Sequence, residues 1–171
     1  MTDCAWYLIH TRPRQELIAL ENLERQGYFC YLPRFRFEKI RRRQRVAVDE
    51  PLFARYLFIR LAAGGEGLSW APIRSTRGVA KLVRFGEHPA RADDELVARL
   101  QEREQGKPVR KLFLAGDKVT ITQGAFAGLE AIYQSDDAQE RSIILLEIMS
   151  RAARLRIETS SLTPARDLIA S

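Results

Sequence analysis

"RSIILLEIMSRAARLRIE", residues 141–158, decides how the second half of this chain folds. Read with a period of two, Ile143, Leu145 and Glu147 alternate with Ile144, Leu146 and Ile148. "MSRA" then turns, and Leu155 and Ile157 return inward, giving two strands. Read with a period near 3.6, the same residues make one helix. No Gly or Pro interrupts the segment, so no local breaker chooses between the two. Ser150 stands at the turn of the strand reading, and Ser costs a helix less than the roughly 1 kcal/mol that Gly costs relative to Ala. Upstream, "AFAGLEAIYQ" (125–134) also tolerates a helix, with Gly128 as its weak spot. Two helices joined near "SDDAQE" (135–140) would present Phe126, Leu129, Ile132, Ile144, Leu145 and Ile148 as an apolar face. Such a hairpin needs a partner surface, and the rest of the chain has to supply it.

The 171 residues are ordinary globular material, 46% hydrophobic and 29% charged, enough for one domain or two small ones. No apolar run approaches the roughly 20 residues of a membrane span. "MTDCAWYLIH" lacks the pattern of an export signal. Cys4 and Cys30 are too few for a disulfide framework, and His10 and His88 lie too far apart for a zinc cluster. The expectation is a cytoplasmic protein with no cofactor and no metal. Charge is uneven: residues 1–91 carry 17 Lys and Arg against 9 Asp and Glu, whereas 109–171 carry 8 of each. A basic first half implies a polyanionic partner there, or simply a solvated basic surface.

Within the first half, "WYLIHTRPRQELIALENLERQG" reads as a strand at Trp6–His10 and a helix from about Pro13 to Gln26. Thr11 is its expected cap, Gly27 its stop, and Leu17, Ile18, Ala19, Leu20 and Leu23 its core stripe. "YFCYLPRFRFEKI" (28–40) reads as strand bent at Pro33, "RRRQRV" (41–46) as a basic hairpin tip, and "EPLFARYLFIRL" (50–61) as the strongest strand. "LSWAPIRSTRG" (68–78) suggests a short helix and "VAKLVRFG" (79–86) a strand. Asp93 or Asp94 can cap a helix through Leu96, Val97 and Leu100 that ends near Gly106. The order β-α-β-β-α-β, then a helix, predicts an antiparallel sheet with flanking helices, an α+β domain over 1–105. A polar linker follows at 106–114, then a second unit at 115–167. Its opening, "AGDKVTITQGAFAGLEAIY", alternates as a small barrel does.

"PLFARYLF" (51–58) concentrates Leu52, Phe53, Tyr56 and Phe58. Strand alternation puts Tyr56 and Phe58 on one face and Phe53 and Leu57 on the other. One face must pack on helices, and a second apolar face would be a docking surface. No catalytic constellation is present: Cys30 has no nearby candidate base and the carboxylates are scattered, so an enzyme is not expected.

"WYLIHTRPRQELIALENLERQG", "EPLFARYLFIRL" and "IRSTRGVAKLVRFG" resemble the NusG N-terminal domain, and "GDKVTITQGAFAGLEAIY" resembles a KOW module. Together they span nearly the whole chain in the family's order. Within the family, "ERQGYFCYLPRFRFEKI", "EPLFARYLF" and "STRGVAKLVRFG" look closest to the specialised RfaH-like members. The resemblance implies a transcription elongation and antitermination factor that suppresses pausing. Leu52, Phe53, Tyr56 and Phe58 would meet the clamp helices of RNA polymerase.

RfaH-like members also read exposed non-template DNA through two regions, matched here by Arg12, Arg14 and Gln15 and by Thr76 and Arg77. The planar fork of arginine suits both phosphate and the guanine edge. Pro13 and Ile18 replace basic positions of the family, which implies a different preferred sequence. Arg41–Arg45 could grip duplex phosphates without sequence preference. Ser69–Ala71 departs from the family's polar stretch that meets the polymerase gate loop, and Trp70 is expected in the core.

In such members the C-terminal module is a helical hairpin covering the polymerase site. On release it becomes a five-stranded β-barrel and recruits a ribosomal protein of the small subunit. The helical form is therefore expected in the intact, monomeric chain, with Phe126, Leu129, Ile132, Leu145 and Ile148 at the interdomain contact and Glu50 and Arg141 as a bridging pair. The alternatives are a permanent barrel, a general NusG-type factor recruited without a DNA signal, or a KOW-type RNA-binding protein of the ribosome.

Overall fold

The computed structural model describes residues 3–63, 67–106 and 126–161. In chain order the elements are β1 (Cys4–Thr11), α1 (Glu16–Arg25), β2 (Phe29–Tyr31), β3 (Arg34–Arg41), β4 (Gln44–Pro51) and β5 (Tyr56–Ala62). A single 3-10 turn at Ile73–Ser75 leads to β6 (Val79–Leu82), β7 (Arg84–Phe85), β8 (His88–Pro89) and β9 (Arg91–Ala92). The helices α2 (Asp94–Glu104), α3 (Phe126–Gln134) and α4 (Ala138–Ser161) complete the described chain.

The continuous apolar run in "CAWYLIHT", buried on both faces, makes β1 the axis of the fold. It pairs antiparallel with β5 over Cys4↔Ala62 to His10↔Tyr56, and on its other side with β6 and β9. With β2 outside β5, the sheet runs β2-β5-β1-β6. Successive side chains of a strand face opposite ways, so one sheet divides two cores. Ala5, Tyr7, Ile9, Leu57, Ile59 and Leu61 pack with Ala19 and Leu23 of α1. Trp6, Leu8 and Phe58 face the other side, with Leu96, Val97 and Leu100 of α2 and Leu129, Ile132, Leu145 and Met149 of α3 and α4. The region is thus α+β, and Phe126–Gln134 and Ala138–Ser161 are helical. β3 and β4 form a separate two-stranded ribbon.

Several expectations need correction. α1 begins at Glu16 with Gln15 at its cap position and no capping side-chain bond, not with Thr11. Thr11 and Arg12 are held in extended chain by the Arg55 and Gly78 carbonyls, which their N–H groups reach at 2.8 Å. Ala19 and Leu23 face inward, while Leu17, expected in the core stripe, is 48% exposed. "EPLFARYLFIRL" is not one strand. Leu52 N–H donates to the Pro33 carbonyl, Arg55 turns through a left-handed φ of 70°, and the strand resumes at Tyr56. Alternation is therefore lost before Tyr56, and Phe53 lies with Phe58, ring centroids 6.4 Å apart, rather than with Leu57. The helix read in 68–78 is only the 3-10 turn, and "VAKLVRFG" divides into β6 and β7. Asp93 sits at the cap of α2 without a capping side-chain bond.

Apart from Gly106, the linker at 106–114 lies outside the described residues. So do the stretch through Ala125, everything after Ser161, and the side chains of residues 126–128 and 156–161, among them Phe126 and Ile157.

Candidate functional site

The apolar strand and the helical hairpin meet face to face. Leu52, Phe53 and Phe58 are 1% exposed or less, within the core that also holds Leu129, Ile132, Leu145 and Met149. Burying an aliphatic side chain of this size contributes about 1.5–3 kcal/mol. Four such anchors offset much of the cost of ordering a hairpin that could not stand alone. Arg141, Ser142, Leu145 and Met149 form one stripe at helical spacing along α4, and each is buried. Ile144 and Ile148 flank it half-buried, so the inward stripe lies one position away from the one their spacing suggested. Met149 and Ser142 escaped the sequence reading; the 3-and-4 spacing from Leu145 was the available signal.

Polar groups fix the register of this contact. The Arg141 guanidinium is wholly buried and its donors are distributed in three directions. Nε donates to the Leu52 carbonyl at 2.7 Å, Nη1 to the Ser135 carbonyl at 2.9 Å, and Nη2 to Glu50 Oε1 at 2.7 Å. The Phe35 ring lies beneath it, 4.7 Å from centroid to guanidinium carbon. A buried cation is tolerated only when paired and hydrogen-bonded, and this one is. Ser142 Oγ lies 3.0 Å from both the Ala54 and Ala138 carbonyls, sharing one proton between them.

At the far side, Arg103 of α2 stacks over the Tyr133 ring at 4.4 Å, and Tyr31 donates to Glu104. Burial, reinforced by the Glu104 hydrogen bond, raises the Tyr31 phenol well above its ordinary value. Burial, against the opposing Arg103 charge, pushes Tyr133 up to about 12. Tyr56 is half-buried and stacks on His10 at 4.9 Å.

The basic candidates form a second place. The 12–15 loop and the 75–78 loop are tied together by Arg12 N–H to the Gly78 carbonyl. Gly78 has φ +91°, and a Cβ there would sit 2.7 Å from the Ala19 backbone nitrogen, so only glycine lets β6 approach α1 this closely. Arg12, Arg14 and Arg77 are exposed around this junction. Gln15 is half-buried. Thr76 is buried; its hydroxyl donates to the Pro72 carbonyl and accepts from Gln26 Nε2, both at 2.8 Å. It holds the loop while Arg77 projects.

Arg42 and Arg43, at the tip of the β3–β4 ribbon, take left-handed φ values of 51° and 65°, where Asn or Gly is usual. Trp70 packs edge-on against Tyr7 at 4.9 Å. Burial and then Glu24 push the Cys30 thiol up to about 12, which disfavours thiolate chemistry at neutral pH. Among the described residues no group of His, Cys, Asp or Glu has the arrangement of a metal site, and no helix is long and apolar enough to cross a membrane.

Comparison with known proteins points one way. The family model described as "NusG: Transcription termination factor nusG" matches residues 4–101. The "Transcription termination/antitermination protein NusG" of Streptomyces griseus is 28% identical over 176 residues, covering 85% of this chain and 59% of that protein. The protein of the same name from Deinococcus radiodurans is 24% identical over 182 residues, covering 91% of this chain and 96% of that one. This chain thus spans about three fifths of the Streptomyces relative. A solved structure of Thermotoga maritima NusG aligns with a TM-score of 0.44 and 21% identity, over 63% of this chain and 61% of that one.

Proposed function

This chain belongs to the NusG family, and from that premise we propose that it is a non-enzymatic transcription elongation and antitermination factor. Its landing pad for RNA polymerase is the β5 face, held shut at rest by α3 and α4. Leu52, Phe53, Tyr56 and Phe58 are the polymerase-binding set, and the clamp helices are the element they receive.

The observation that carries this reading is the burial of Leu52, Phe53 and Phe58 beneath the helices, with Arg141 bound to Glu50 and to the Leu52 carbonyl. An apolar surface of that size beside a basic one would otherwise be open to water, and exposed patches of this kind mark partner sites. In this RfaH-like reading, Arg12, Arg14, Gln15 and Arg77 meet the non-template DNA strand at a pause, with Thr76 setting the loop. The Arg41–Arg45 tip steadies duplex phosphates. The second unit, freed from the face, adopts the barrel that its period-two pattern also allows and recruits a small-subunit ribosomal protein.

The experiment is retention of the intact chain on purified core polymerase paused on defined non-template strands, compared with Tyr56→Glu. Retention that depends on the strand sequence and is lost with Tyr56→Glu supports the reading. Absence of any retention, with binding to ribosomal RNA instead, would favour an RNA-binding KOW protein.

A second reading is favoured by the names of the relatives and by Trp70, half-buried against Tyr7 at the edge of the core: a general NusG-type factor that needs no DNA signal. Retention indifferent to the non-template sequence would select it.

A further inference from the structure

A groove of about 630 Å³ runs along the seam between the sheet and α4, and apart from Tyr56 the family reading assigns none of its lining residues a role. Its floor is a row across three neighbouring strands, because Tyr56 pairs in register with His10 and His10 with Lys81. Val83 and Phe85 extend that floor. Its wall is one face of α4, formed by Ile143, Leu146, Glu147, Ser150, Arg151 and Arg154.

The wall is polarised. Ile143, 57% exposed, and Leu146 make an apolar end, while Arg151 and Arg154 lie five and eight residues beyond Leu146, about 8 and 12 Å along the helix axis at 1.5 Å per residue. Lys81, Arg151 and Arg154 face one carboxylate, Glu147, and among the described residues none of the three basic groups takes part in an ion pair. Aromatic side chains line the sheet side opposite, in the His10–Tyr56 stack and Phe85. Clefts of this size suit one small molecule rather than a polymer.

We propose that this groove binds a free nucleoside polyphosphate, its phosphates held by Lys81, Arg151 and Arg154 and its base against the Tyr56–His10 stack and Phe85. Arginine and lysine supply the charge-assisted donors that phosphate oxygens accept, and an aromatic floor offers a π-face to any base. The site exists only while α4 lies on the sheet, because Lys81 comes from the floor and Arg151 and Arg154 from the wall. A ligand bound here stabilises the closed arrangement by differential affinity, since an open form lacks half of its contacts. That regulatory consequence rests on the masking reading; the binding itself does not.

The test is calorimetric titration of the intact chain with ATP, with inorganic triphosphate and with a single-stranded dT oligonucleotide, repeated on Lys81→Ala and Arg154→Ala. Both substituted side chains are exposed, and circular dichroism would verify that each variant keeps its fold. ATP is expected to bind one to one, about tenfold more weakly to either variant, and more tightly than inorganic triphosphate. Absence of ATP binding at millimolar concentration, or binding that neither variant weakens, would overturn the proposal. Equal affinity for ATP and inorganic triphosphate would remove the base-binding half. An oligonucleotide that binds these side chains while ATP does not would show that the groove serves a nucleic acid strand and that the free-nucleotide assignment is wrong. If ATP binds but leaves polymerase retention unchanged, masking fails and the site stands.

Discussion

Arg141 and Glu50, 91 residues apart in sequence, meet at 2.7 Å, and the Arg141 side chain is wholly buried while that of Glu50 keeps 27% of its exposure. Removing one partner of a buried pair strands the other charge. Glu50→Gln is therefore expected to loosen α4 by about 2–3 kcal/mol, below the range for a fully buried pair because water reaches Glu50. Amide exchange along α4 should quicken by about 30- to 150-fold while β1 and β5 stay protected. Added salt should reproduce little of this, because a buried contact is weakly screened.

Gly78→Ala is expected to destabilise the first half by about 2 kcal/mol or more. The new methyl would meet the Ala19 backbone, and the residue would be strained at its positive φ. Urea denaturation checks the magnitude. The same substitution should disturb Arg12, whose N–H depends on the Gly78 carbonyl.

His10 gives a pH dependence whose sign is fixed. Burial first, then the Arg55 and Lys81 charges, hold its folded pKa below the ordinary 6.5. Tyr56 stacks on it, and Glu147, Arg151 and Arg154 line the same groove from α4. A lowered folded pKa means that the unfolded chain binds the proton more readily, so this stability is present above about pH 6.5 and is lost as pH falls below it. Melting temperature between pH 7.5 and 5.5 should fall further for the natural chain than for His10→Gln. An equal fall in both would remove His10 as the cause.

Arg77→Ala should weaken binding to non-template DNA in a paused complex and leave thermal stability within about 0.5 kcal/mol, because the side chain is exposed. If Arg77 contacts phosphate, the loss should be similar for every strand sequence and the salt dependence shallower by about one unit. If it reads a base, the loss should be confined to the preferred sequence.

Much of the sheet was legible because β1 and β5 are short, nearly continuous apolar runs buried on both faces, a local signal that tertiary context had no reason to override. The misplacement of Phe53 has a cause that lies outside its own segment. Nothing in "PLFARY" announces that Arg55 takes a left-handed φ, a conformation held by Glu16 Oε1 accepting its N–H from a helix 39 residues away. Arg42 and Arg43 turn the ribbon where the sequence offers no Gly or Asn. The choice of helix for 141–158 was illegible within the segment, since both periods fit. It is made by the Leu52 carbonyl, Glu50 and the apolar face around Phe58, contacts about 90 residues distant, and Met149 became an anchor only once that face was in place.

Affinity for purified core RNA polymerase, measured for the natural chain and for Arg141→Ala at equal concentration, tests the masking of the β5 face most directly. Arg141→Ala removes three hydrogen bonds of the hairpin and none of the side chains proposed to meet the polymerase. Apparent affinity scales with the fraction of chains whose landing pad is open. The account predicts at least tenfold tighter binding by Arg141→Ala, abolished when Tyr56→Glu is added. Equal or weaker binding by a folded Arg141→Ala chain would contradict it.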